Sequence, residues 1–411
     1  MKKTICLVTN WYPTKENPHA GVFFKEQAFA VSDHFDFIVV HYREHLKKSP
    51  LNKNTVTMIN KEQNTVEYDI DVFVPGSLYG YDLLYDFRRG HNDEQRIDGV
   101  GRYVSDKRSG FTRAAITGLF ENEIGIIPDA FYCIDAQKDA FYIRCLAEHF
   151  QKPYIVGEHA PVPWPGTVIR DINKEAIEKA DAFLAISNDK IRQLMLSNIH
   201  LPETHYIGNL IDEDKLVIRK KKENDIKTFI IVAAHSFYKN YDMFIMVMNR
   251  LSEITDKDFR VMIVGYASNK GYSKNVEAFE KQIRESRFAD RAVMIPSVDH
   301  EEIGSVLNEA DAFVMTSIQE GQPVSAMEAA CCGLPIFSTR CGGVEDYIDD
   351  RMGRIYPVTD ADNMAEDLKA YLEGKIEFDD RYIRESVVKR FGKSAFAENF
   401  CEAFNRVIKN G

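Results

Sequence analysis

The sequence predicts an α/β protein that contains two similar doubly wound domains in tandem. At 411 residues, the chain is too long for one ordinary hydrophobic core and fits two domains. Short apolar runs, typical of buried parallel strands, alternate with amphipathic helical segments along most of the chain. Residues 180–187 recur in similar form as residues 310–317, with five of eight positions identical. Each copy ends an amphipathic segment and begins a predicted strand, which favours two related domains.

The first domain is predicted over residues 1–208, where strand candidates and helical patterns follow one another. The strand candidates are residues 4–9, 35–41, 71–74, 130–134, 154–157 and 182–187. Alternation of this kind favours a mostly parallel sheet with helices on both faces.

Residues 76–128 depart from this pattern, because glycines are frequent there and the periodicity is poor. Aromatic and basic side chains in this region leave two interpretations open. One is an irregular surface insertion, which the interspersed acidic residues favour. The other is a loop that faces an anionic or lipid-phosphate acceptor, or a membrane surface.

A charged run within residues 209–226 predicts a solvated linker, and the second domain follows over residues 227–385. Its strand candidates are residues 228–233, 260–264, 292–295, 312–316 and 335–338. Residues 386–411 are predicted to form a C-terminal helix that buries phenylalanines at helical spacing. These are Phe391, Phe396, Phe400 and Phe404.

The most informative segment is residues 320–336, in which two carboxylates, Glu320 and Glu328, lie eight residues apart. Glu320 follows the strand candidate at residues 311–317, and Glu328 lies on a helix predicted to begin near Pro323. Open α/β sheets bind ligands at the carboxyl ends of their strands, and the N–H groups of a helix N-terminus suit a phosphate. Ionised carboxylates accept hydrogen bonds from the paired hydroxyls of a sugar. The segment therefore predicts a nucleotide-sugar site.

The spacing of these two acids, the Gly-x-Pro that follows them and the Gly-Gly-Val-Glu at residues 342–345 resemble the retaining GT-B glycosyltransferases of family 4, the glycosyl transferases group 1. The resemblance implies the GT-B fold, two Rossmann-like domains that face a central cleft. It also implies that a sugar moves from a nucleoside diphosphate sugar to an acceptor hydroxyl with retention of anomeric configuration. In that family the first Glu holds donor-sugar hydroxyls and the second holds the ribose, roles that fall on Glu320 and Glu328. The last helix of the family returns to the first domain, so residues 386–411 are expected to pack there.

The resemblance also assigns a cation at the diphosphate. Lys239 matches the lysine of the family's Gly-Arg-x4-Lys turn, but the arginine position is occupied by Ala234. His235 supplies a second cation only if it is protonated, and Lys25 or Arg340 are other sources of the missing charge. Since one charged hydrogen bond contributes about 1.5–3 kcal/mol, the departure leaves open an enzyme that is slow, or inactive alone.

The remaining candidates surround these groups. The donor-binding set, besides His235 and Glu328, is Gly21, Gly265, Ser297, Val298, Gly321, Gln322, Pro323, Val324 and Ser325. Gly21 follows the first strand and lets the backbone approach a diphosphate, although the family usually has Gly-Gly. His159 follows a strand and matches a family histidine that contacts the donor sugar near the reacting carbon. Glu320, Lys239 and His159 are therefore the catalytic candidates.

Composition limits the partners and the compartment. The net charge of −11 argues against nucleic acid as a partner. The seven cysteines include no Cys-x-x-Cys pair, which indicates free thiols in a reducing compartment. We find no signal peptide and no stretch as long as a membrane span, so a cytoplasmic protein is expected. A peripheral contact at the inner face of the membrane stays open.

Two Asp-x-Asp triplets, residues 69–71 and 360–362, are interpreted as structural, because the first begins a strand and the second opens a helix, where Asp is a natural cap. We therefore expect no metal and no cofactor. The expected donor is a nucleoside diphosphate sugar, with UDP-sugar favoured over GDP-sugar. The expected acceptor is a glycan or lipid-linked glycan in surface polysaccharide or glycolipid synthesis.

Functions of other classes compete with this interpretation. One is a catalytically weak or silent partner protein that keeps the GT-B fold and binds a sugar nucleotide, which the missing arginine would allow. A two-domain periplasmic sugar-binding protein is disfavoured by the lack of a signal peptide. An epimerase or a phosphorylase on the same fold is a third possibility, but no motif for a lysine-bound cofactor stands out.

Overall fold

The computed structural model describes residues 2–14, 20–62, 64–78, 99–160, 162, 169–219, 226–267 and 273–410. The chain forms two compact units. The first unit contains Met1–Ala185, Lys190–Ile207 and Ala397–Gly411, and the second contains Ile186–Asp189 and Gly208–Phe396. Residues 209–219 of the expected linker thus belong to the second unit, and residues 220–225 lie outside the described residues.

The first unit is built on an eight-stranded sheet with the order β3-β4-β2-β1-β5-β6-β7-β8. Its strands are β1 (Lys3–Thr9), β2 (Phe35–Lys47), β3 (Thr55–Glu62), β4 (Thr65–Pro75), β5 (Ala130–Cys133), β6 (Tyr154–Glu158), β7 (Ala182–Ala185) and β8 (Thr204–Tyr206). All neighbouring strands pair in parallel except β3 and β4. The predicted parallel sheet is therefore confirmed, with an antiparallel edge strand added.

Between these strands along the chain, the described residues include helices with defined bounds. They are α1 (Val22–Ala30), α2 (Gly99–Leu119), α3 (Ala136–Phe150), α4 (Asp171–Glu178) and α5 (Asn188–Leu196). The prediction of an irregular insertion is wrong for Gly99–Leu119, which is helical and continues into a wider turn at Phe120–Ile124. Ile116 and Phe120 are buried in one core with the β4 residue Ile70, which explains why this segment is ordered as a helix. Residues 79–98 of the same region lie outside the described residues.

The second unit is built on a six-stranded parallel sheet with the order β11-β10-β9-β12-β13-β14. Its strands are β9 (Lys227–Val232), β10 (Phe259–Val264), β11 (Ala292–Ile295), β12 (Ala312–Met315), β13 (Ile336–Thr339) and β14 (Gly353–Tyr356). Its helices are α6 (Tyr241–Ile254), α7 (Ser273–Arg284), α8 (Ile303–Leu307), α9 (Val324–Cys331), α10 (Ala361–Leu372) and α11 (Asp380–Phe391). Every residue of β12 and β13 is buried, as expected for central strands with both faces covered.

The last helix, α12 (Lys393–Asn410), contributes its final turns to the first unit. The rings of Phe400 and Phe404 stack with centroids 4.3 Å apart. Both contact Phe35 of β2 and Tyr132 of β5, at centroid distances between 5.5 and 6.2 Å. Burial of these aromatic side chains, each worth about 1.5–3 kcal/mol, anchors the C-terminus in the first unit.

The repeated sequence at residues 180–187 and 310–317 has a specific structural basis. Asp311, just before β12, donates its N–H to the carbonyl of Thr228 at 2.7 Å and accepts the N–H of Thr228 on Oδ2 at 2.8 Å. Asp181, just before β7, makes the same two bonds with Tyr154, at 3.0 and 2.9 Å. We call this arrangement the aspartate clamp. It joins the starts of two neighbouring parallel strands.

A third aspartate clamp precedes β5, where Asp129 bonds Thr4 of β1 at 2.7 and 2.8 Å. Each clamp is followed by Ala-Phe in the sequence. In its sheet, β12 adjoins β9, the first strand of its unit, whereas β7 lies two strands away from β5, which adjoins β1. The repeated sequence therefore marks the aspartate clamp, which occurs in both units. It does not mark strands that occupy equivalent positions in the two sheets.

Candidate active site

Two strand ends of the second unit bring a lysine and a glutamate together. After β9 the chain makes a helical turn at Phe237–Lys239, and Asn240, at φ 48°, caps α6 by accepting the N–H of Met243. Lys239 Nζ lies 2.6 Å from Oε1 of Glu320, which follows β12. The side chains are 29% and 13% exposed, so this ion pair is accessible at the carboxyl edge of the sheet.

Backbone hydrogen bonds hold the two partners in place. The Glu320 N–H donates to the carbonyl of Cys341 at 2.6 Å. The hydroxyl of Thr316, at the end of β12, donates to the carbonyls of Lys239 and Asn240, both at 3.1 Å. The turn after β9 and the loop after β12 are therefore joined through β12 itself, which orients the ion pair.

The predicted glycine pair after β13 permits a close approach of two loops. Gly343 has φ +68°, and a Cβ there would lie 2.2 Å from the carbonyl oxygen of Gly321. Gly342 has φ +90°, and its N–H donates to Oε2 of Glu345 at 3.0 Å. A side chain at Gly343 would force the loop that carries Glu320 to move.

The N-terminus of α9 follows this loop directly. Pro323 occupies the N-cap position with φ −71°, and it has no side-chain group that could accept the N–H groups of the first turn. Val324 and Ser325, the first two helical residues, are half-buried. Such a helix start presents N–H donors and the positive end of the helix dipole, which suits an anion.

Gln322, another predicted donor-binding residue of this loop, directs its side chain into a buried hydrogen bond within the protein. Its side chain is buried, and Oε1 accepts the N–H of Asn209 at 2.5 Å. Asn209 is also buried, and its Nδ2 donates to the carbonyl of Gln322 at 3.0 Å. This reciprocal pair supports the loop from within the second unit, so the Gln322 side chain acts on the position of its neighbours.

Glu328 lies on α9 with 8% of its surface exposed. Its Oε1 is 3.8 Å from Nδ1 of His300, which begins the turn His300–Glu302 ahead of α8. Ser297 and Val298 lie in the loop between β11 and this turn, exposed and half-buried respectively. The structure therefore brings the loop after β11 to Glu328. His300 is absent from the sequence prediction, because a lone histidine in a loop has no periodic or motif signal.

His235 does not replace the missing arginine as a cation. Its backbone N–H donates to the carbonyl of Tyr266 at 3.0 Å, and its ring packs against Tyr241 and Phe279 at centroid distances of 5.4 and 4.7 Å. Burial lowers the pKa of His235, although Asp242 acts in the opposite direction. The imidazole is therefore neutral at pH 7, since even its ordinary pKa is about 6.5.

The other proposed sources of positive charge differ in their surroundings. Lys25, in the first unit, forms an ion pair with Glu67 at 3.0 Å. Arg340 follows β13 and is exposed. Gly265 directly follows β10 with φ +80°, and its N–H donates to the carbonyl of Ile295 at 2.8 Å, so it shapes the turn beside His235.

In the first unit, Gly21 and His159 share a neighbour. Gly21 precedes α1 with φ 61°, and a Cβ there would lie 2.6 Å from the carbonyl oxygen of Trp11 and 3.0 Å from the Phe24 ring. His159 follows β6, and its ring makes an edge contact with Phe24 at a centroid distance of 5.0 Å. The two predicted residues thus lie around one phenylalanine. Trp164 and the prolines at positions 161, 163 and 165, which follow His159 in the sequence, lie outside the described residues.

Glu158 precedes His159 and is completely buried. Its Oε1 accepts the N–H of Ala160 at 2.7 Å, and its Oε2 accepts the side-chain amide of Gln137 at 3.2 Å. Burial, reinforced by the carboxylate of Asp135, raises the pKa of Glu158 to about 8, while Lys190 opposes the shift. The carboxyl group of Glu158, next to His159 in the sequence, therefore keeps its proton to a higher pH than an exposed glutamate does.

The two Asp-x-Asp triplets have other partners. Residues 69–71 lie in the middle of β4 rather than at its start, and Asp69 and Asp71 both pair with Arg43. Asp360 caps α10, as predicted, by accepting the N–H of Asn363. Over the described ranges, no group of three or more His, Cys, Asp and Glu side chains is arranged to hold a metal ion. No helix in the same ranges is both long and apolar enough to cross a membrane.

Comparison with known sequences supports the resemblance. Residues 212–387 match the family model described as Glycosyl transferases group 1. The gpi3 subunit of phosphatidylinositol N-acetylglucosaminyltransferase from Schizosaccharomyces pombe is 29% identical over 161 residues, 38% of this chain and 34% of that protein. Lipopolysaccharide 1,6-galactosyltransferase from Escherichia coli K12 is 26% identical over 318 residues, 74% of this chain and 84% of that protein. The match spans about a third of the length of the first of these relatives.

Comparison with solved structures shows the fold. Sucrose-phosphate synthase from Thermosynechococcus elongatus superimposes with a TM-score of 0.70 at 14% identity, over 100% of both chains. The HepE protein of Anabaena in complex with UDP has a TM-score of 0.70 at 13% identity, over 98% of this chain and 100% of that one. The chain thus has the predicted α/β GT-B fold of two Rossmann-like domains with parallel sheets, and its second unit is similar to the glycosyl transferases group 1.

Proposed function

We propose that the protein is a retaining glycosyltransferase of family 4, which moves a sugar from a nucleoside diphosphate sugar to an acceptor hydroxyl. The observation that carries the proposal is the accessible ion pair of Lys239 and Glu320 at the carboxyl edge of the second sheet. It adjoins the α9 N-terminus and lies within the segment that matches the group 1 family. A cation and a helix N-terminus suit a diphosphate, and a carboxylate suits the hydroxyls of a sugar.

Each group has a role in binding the donor. Lys239 and the first N–H groups of α9, at Val324 and Ser325, contact the diphosphate. Glu320 accepts hydrogen bonds from hydroxyls of the sugar, and Glu328 accepts those of the ribose. Gly21 and His159 of the first unit remain candidates for donor contacts on the resemblance alone.

The chemical step is the departure of the diphosphate from a carbon that acquires oxocarbenium character. Lys239 and the α9 N-terminus stabilise the negative charge that develops on the leaving group. Glu320 fixes the sugar ring through its hydroxyls, so that the acceptor meets one face of the reacting carbon. Retention without a protein nucleophile follows if the acceptor attacks on the face of the departing phosphate, which then accepts its proton. Because Lys239 and the helix supply the positive charge, we expect turnover in the presence of a chelator.

The substrate class is proposed from the relatives. One relative is named as a lipopolysaccharide galactosyltransferase, and the HepE structure contains UDP. We therefore propose a UDP-sugar, in preference to a GDP-sugar, as donor and a glycan or lipid-linked glycan as acceptor. The reaction would serve surface polysaccharide or glycolipid synthesis in the cytoplasm, with a peripheral contact at the inner face of the membrane.

A second candidate is a catalytically weak or silent partner that binds a sugar nucleotide. One observation favours it: Ala234 replaces the family arginine, and the neighbouring His235 is neutral at pH 7. The affinity for nucleotide would then persist while transfer is slow or absent.

The decisive experiment measures nucleotide release and transfer together. The purified protein is incubated with a lipopolysaccharide-core acceptor and one donor: UDP-glucose, UDP-galactose, UDP-N-acetylglucosamine or GDP-mannose. The released UDP or GDP and the glycosylated product are measured. Product formation that Glu320→Gln abolishes supports the enzyme, and the anomeric signal in the product's NMR spectrum tests retention. Nucleotide binding without release or product favours the silent partner. The absence of both nucleotide binding and turnover contradicts the proposed site.

A further inference from the structure

We propose that His300 and Glu328 form a two-sided clamp for the ribose hydroxyls of the nucleotide, which makes His300 a residue that selects ribonucleotides over deoxyribonucleotides. This inference rests on the proposed function, in which Glu328 binds the ribose. It adds a second binding residue, contributed by a different segment of the second unit.

The separation of the two side chains carries the argument. His300 Nδ1 and Glu328 Oε1 are 3.8 Å apart, beyond the length of a direct hydrogen bond. A hydroxyl group placed between them can donate to the carboxylate and accept from an imidazole N–H, because a hydroxyl has both functions. A ribose offers two adjacent hydroxyls, so one can bridge both residues while the other also reaches the carboxylate.

The two side chains differ in exposure, as expected for a site that a ligand enters from solvent. Glu328 is 11% exposed at its side chain and lies at the inner end, while His300 is 39% exposed and lies at the rim. A buried carboxylate gains most from hydroxyl donors, because it is poorly hydrated. The rim imidazole then closes over a ligand that has entered from solvent.

The turn that carries His300 is held firmly enough to position it. The Glu302 N–H donates to the carbonyl of Asp299 at 2.9 Å, and the turn continues into α8. Ile303 and Leu307 of α8 are buried, and a Cβ at Gly304 would lie 3.0 Å from the carbonyl oxygen of Lys215. Because α8 packs this closely, His300 has a fixed backbone beside α9.

The neighbouring Glu301 provides a matched control. It lies on the same turn, is 72% exposed at its side chain, and forms an ion pair with Lys215 at 2.8 Å. A substitution there perturbs the same turn and changes its charge without touching the clamp.

The test compares UDP with 2′-deoxy-UDP and 3′-deoxy-UDP by isothermal titration calorimetry. The wild-type protein should bind UDP at least about fivefold more tightly than the deoxy analogue that lacks the hydroxyl bridging His300 and Glu328. His300→Ala should weaken UDP binding about fivefold to tenfold, the range of one neutral hydrogen bond, and leave the affinity for that analogue within about twofold. Discrimination between the two nucleotides should therefore disappear. Glu301→Ala should retain it, and His300→Gln, which keeps an N–H donor, should recover part of it.

The outcomes separate this inference from the proposed function. If the wild type binds UDP and His300→Ala binds UDP and both analogues as the wild type does, the clamp is disproved and the proposed function stands. An equal loss for UDP and both analogues also disproves the clamp, since it indicates a general effect on the pocket. If the wild type binds neither UDP nor GDP, both proposals fail. Thermal unfolding of each variant verifies that the second unit stays folded.

Discussion

Lys239 and Glu320 form an ion pair, with Nζ and Oε1 2.6 Å apart, between the turns that follow β9 and β12. The proposed diphosphate-binding cation thus directly contacts the proposed sugar-binding carboxylate. A donor that enters must exchange part of this ion pair for contacts with both residues, so the two functions are coupled. A partly exposed ion pair contributes only about 0–1 kcal/mol to stability.

The first prediction concerns this pair. Lys239→Ala and Glu320→Gln should each lower kcat/KM by about 100-fold or more, because each removes a group that stabilises or orients the transition state. The double variant should lose less than the product of the two single losses, which a double-mutant cycle of initial rates will show. Lys281→Ala, on an exposed part of α7, is the matched control. Wild-type rates for Lys239→Ala would remove it from the site.

The second prediction concerns the buried reciprocal pair of Gln322 and Asn209. Asn209→Ala should lower the free energy of unfolding by about 1–3 kcal/mol, because it removes the buried side-chain amide that donates to the carbonyl of Gln322. Urea unfolding of the wild type and variant measures this change. Lys239→Ala, on an accessible side chain, should leave the free energy of unfolding within about 1 kcal/mol. Equal stability of Asn209→Ala and the wild type would show that the pair does not hold the loop.

The third prediction restores the family's missing charge. Ala234→Arg should tighten UDP binding about tenfold, the lower end of the range for a hydrogen bond to a charged group. Ser236→Arg adds the same charge to the same loop at another position and should have a smaller effect. Calorimetric titration of UDP measures both variants. Weaker binding for Ala234→Arg would show that the diphosphate does not lie beside this turn.

The fourth prediction concerns Glu158, whose pKa is raised to about 8 by burial and by Asp135. In the unfolded chain its pKa is near 4.3, so between about pH 4.3 and pH 8 the folded protein holds a proton that the unfolded protein lacks. Its contribution to stability is complete below this window, is lost as the pH rises through it, and changes no further above about pH 8. Glu158→Gln should flatten that decline when urea unfolding is followed from pH 5 to pH 9. An unchanged slope would place the titration elsewhere.

Much of the fold could be predicted, because continuously apolar runs such as those of β7 and β12 form only where both faces of a strand are covered. The helix at Val324–Cys331 was predicted with its start, since Pro323 and Gly333 limit it on either side. The edge strand β3 was missed because its side chains are mostly exposed, so no alternation marks it. The helix at Gly99–Leu119 was missed because its glycines and mixed charges obscure the apolar face that Ile116 presents to the core.

Some residues of the candidate site could be predicted from the sequence and others could not. Glu320 and Glu328 could be proposed because one follows a strand and the other lies on a helix whose start is marked, and Lys239 because it matches the lysine of the resembled family's turn. The orientation of Gln322 toward Asn209 and the approach of His300 to Glu328 could not, because each joins segments far apart in sequence. The neutral state of His235 likewise depends on rings from α6 and α7, Tyr241 and Phe279. Tertiary contacts of this kind leave no local pattern.

The aspartate clamps lie at the starts of their strands, but they also affect the position of the loops at the carboxyl ends. Parallel strands have no hairpin turn to determine their stagger, and a slip of one residue would send every side chain to the other face. Asp311 defines where β12 starts against β9, and Glu320 follows it nine positions later in the sequence. A carboxylate at the far end of the strand thus helps to fix the position of Glu320, the proposed sugar-binding acid.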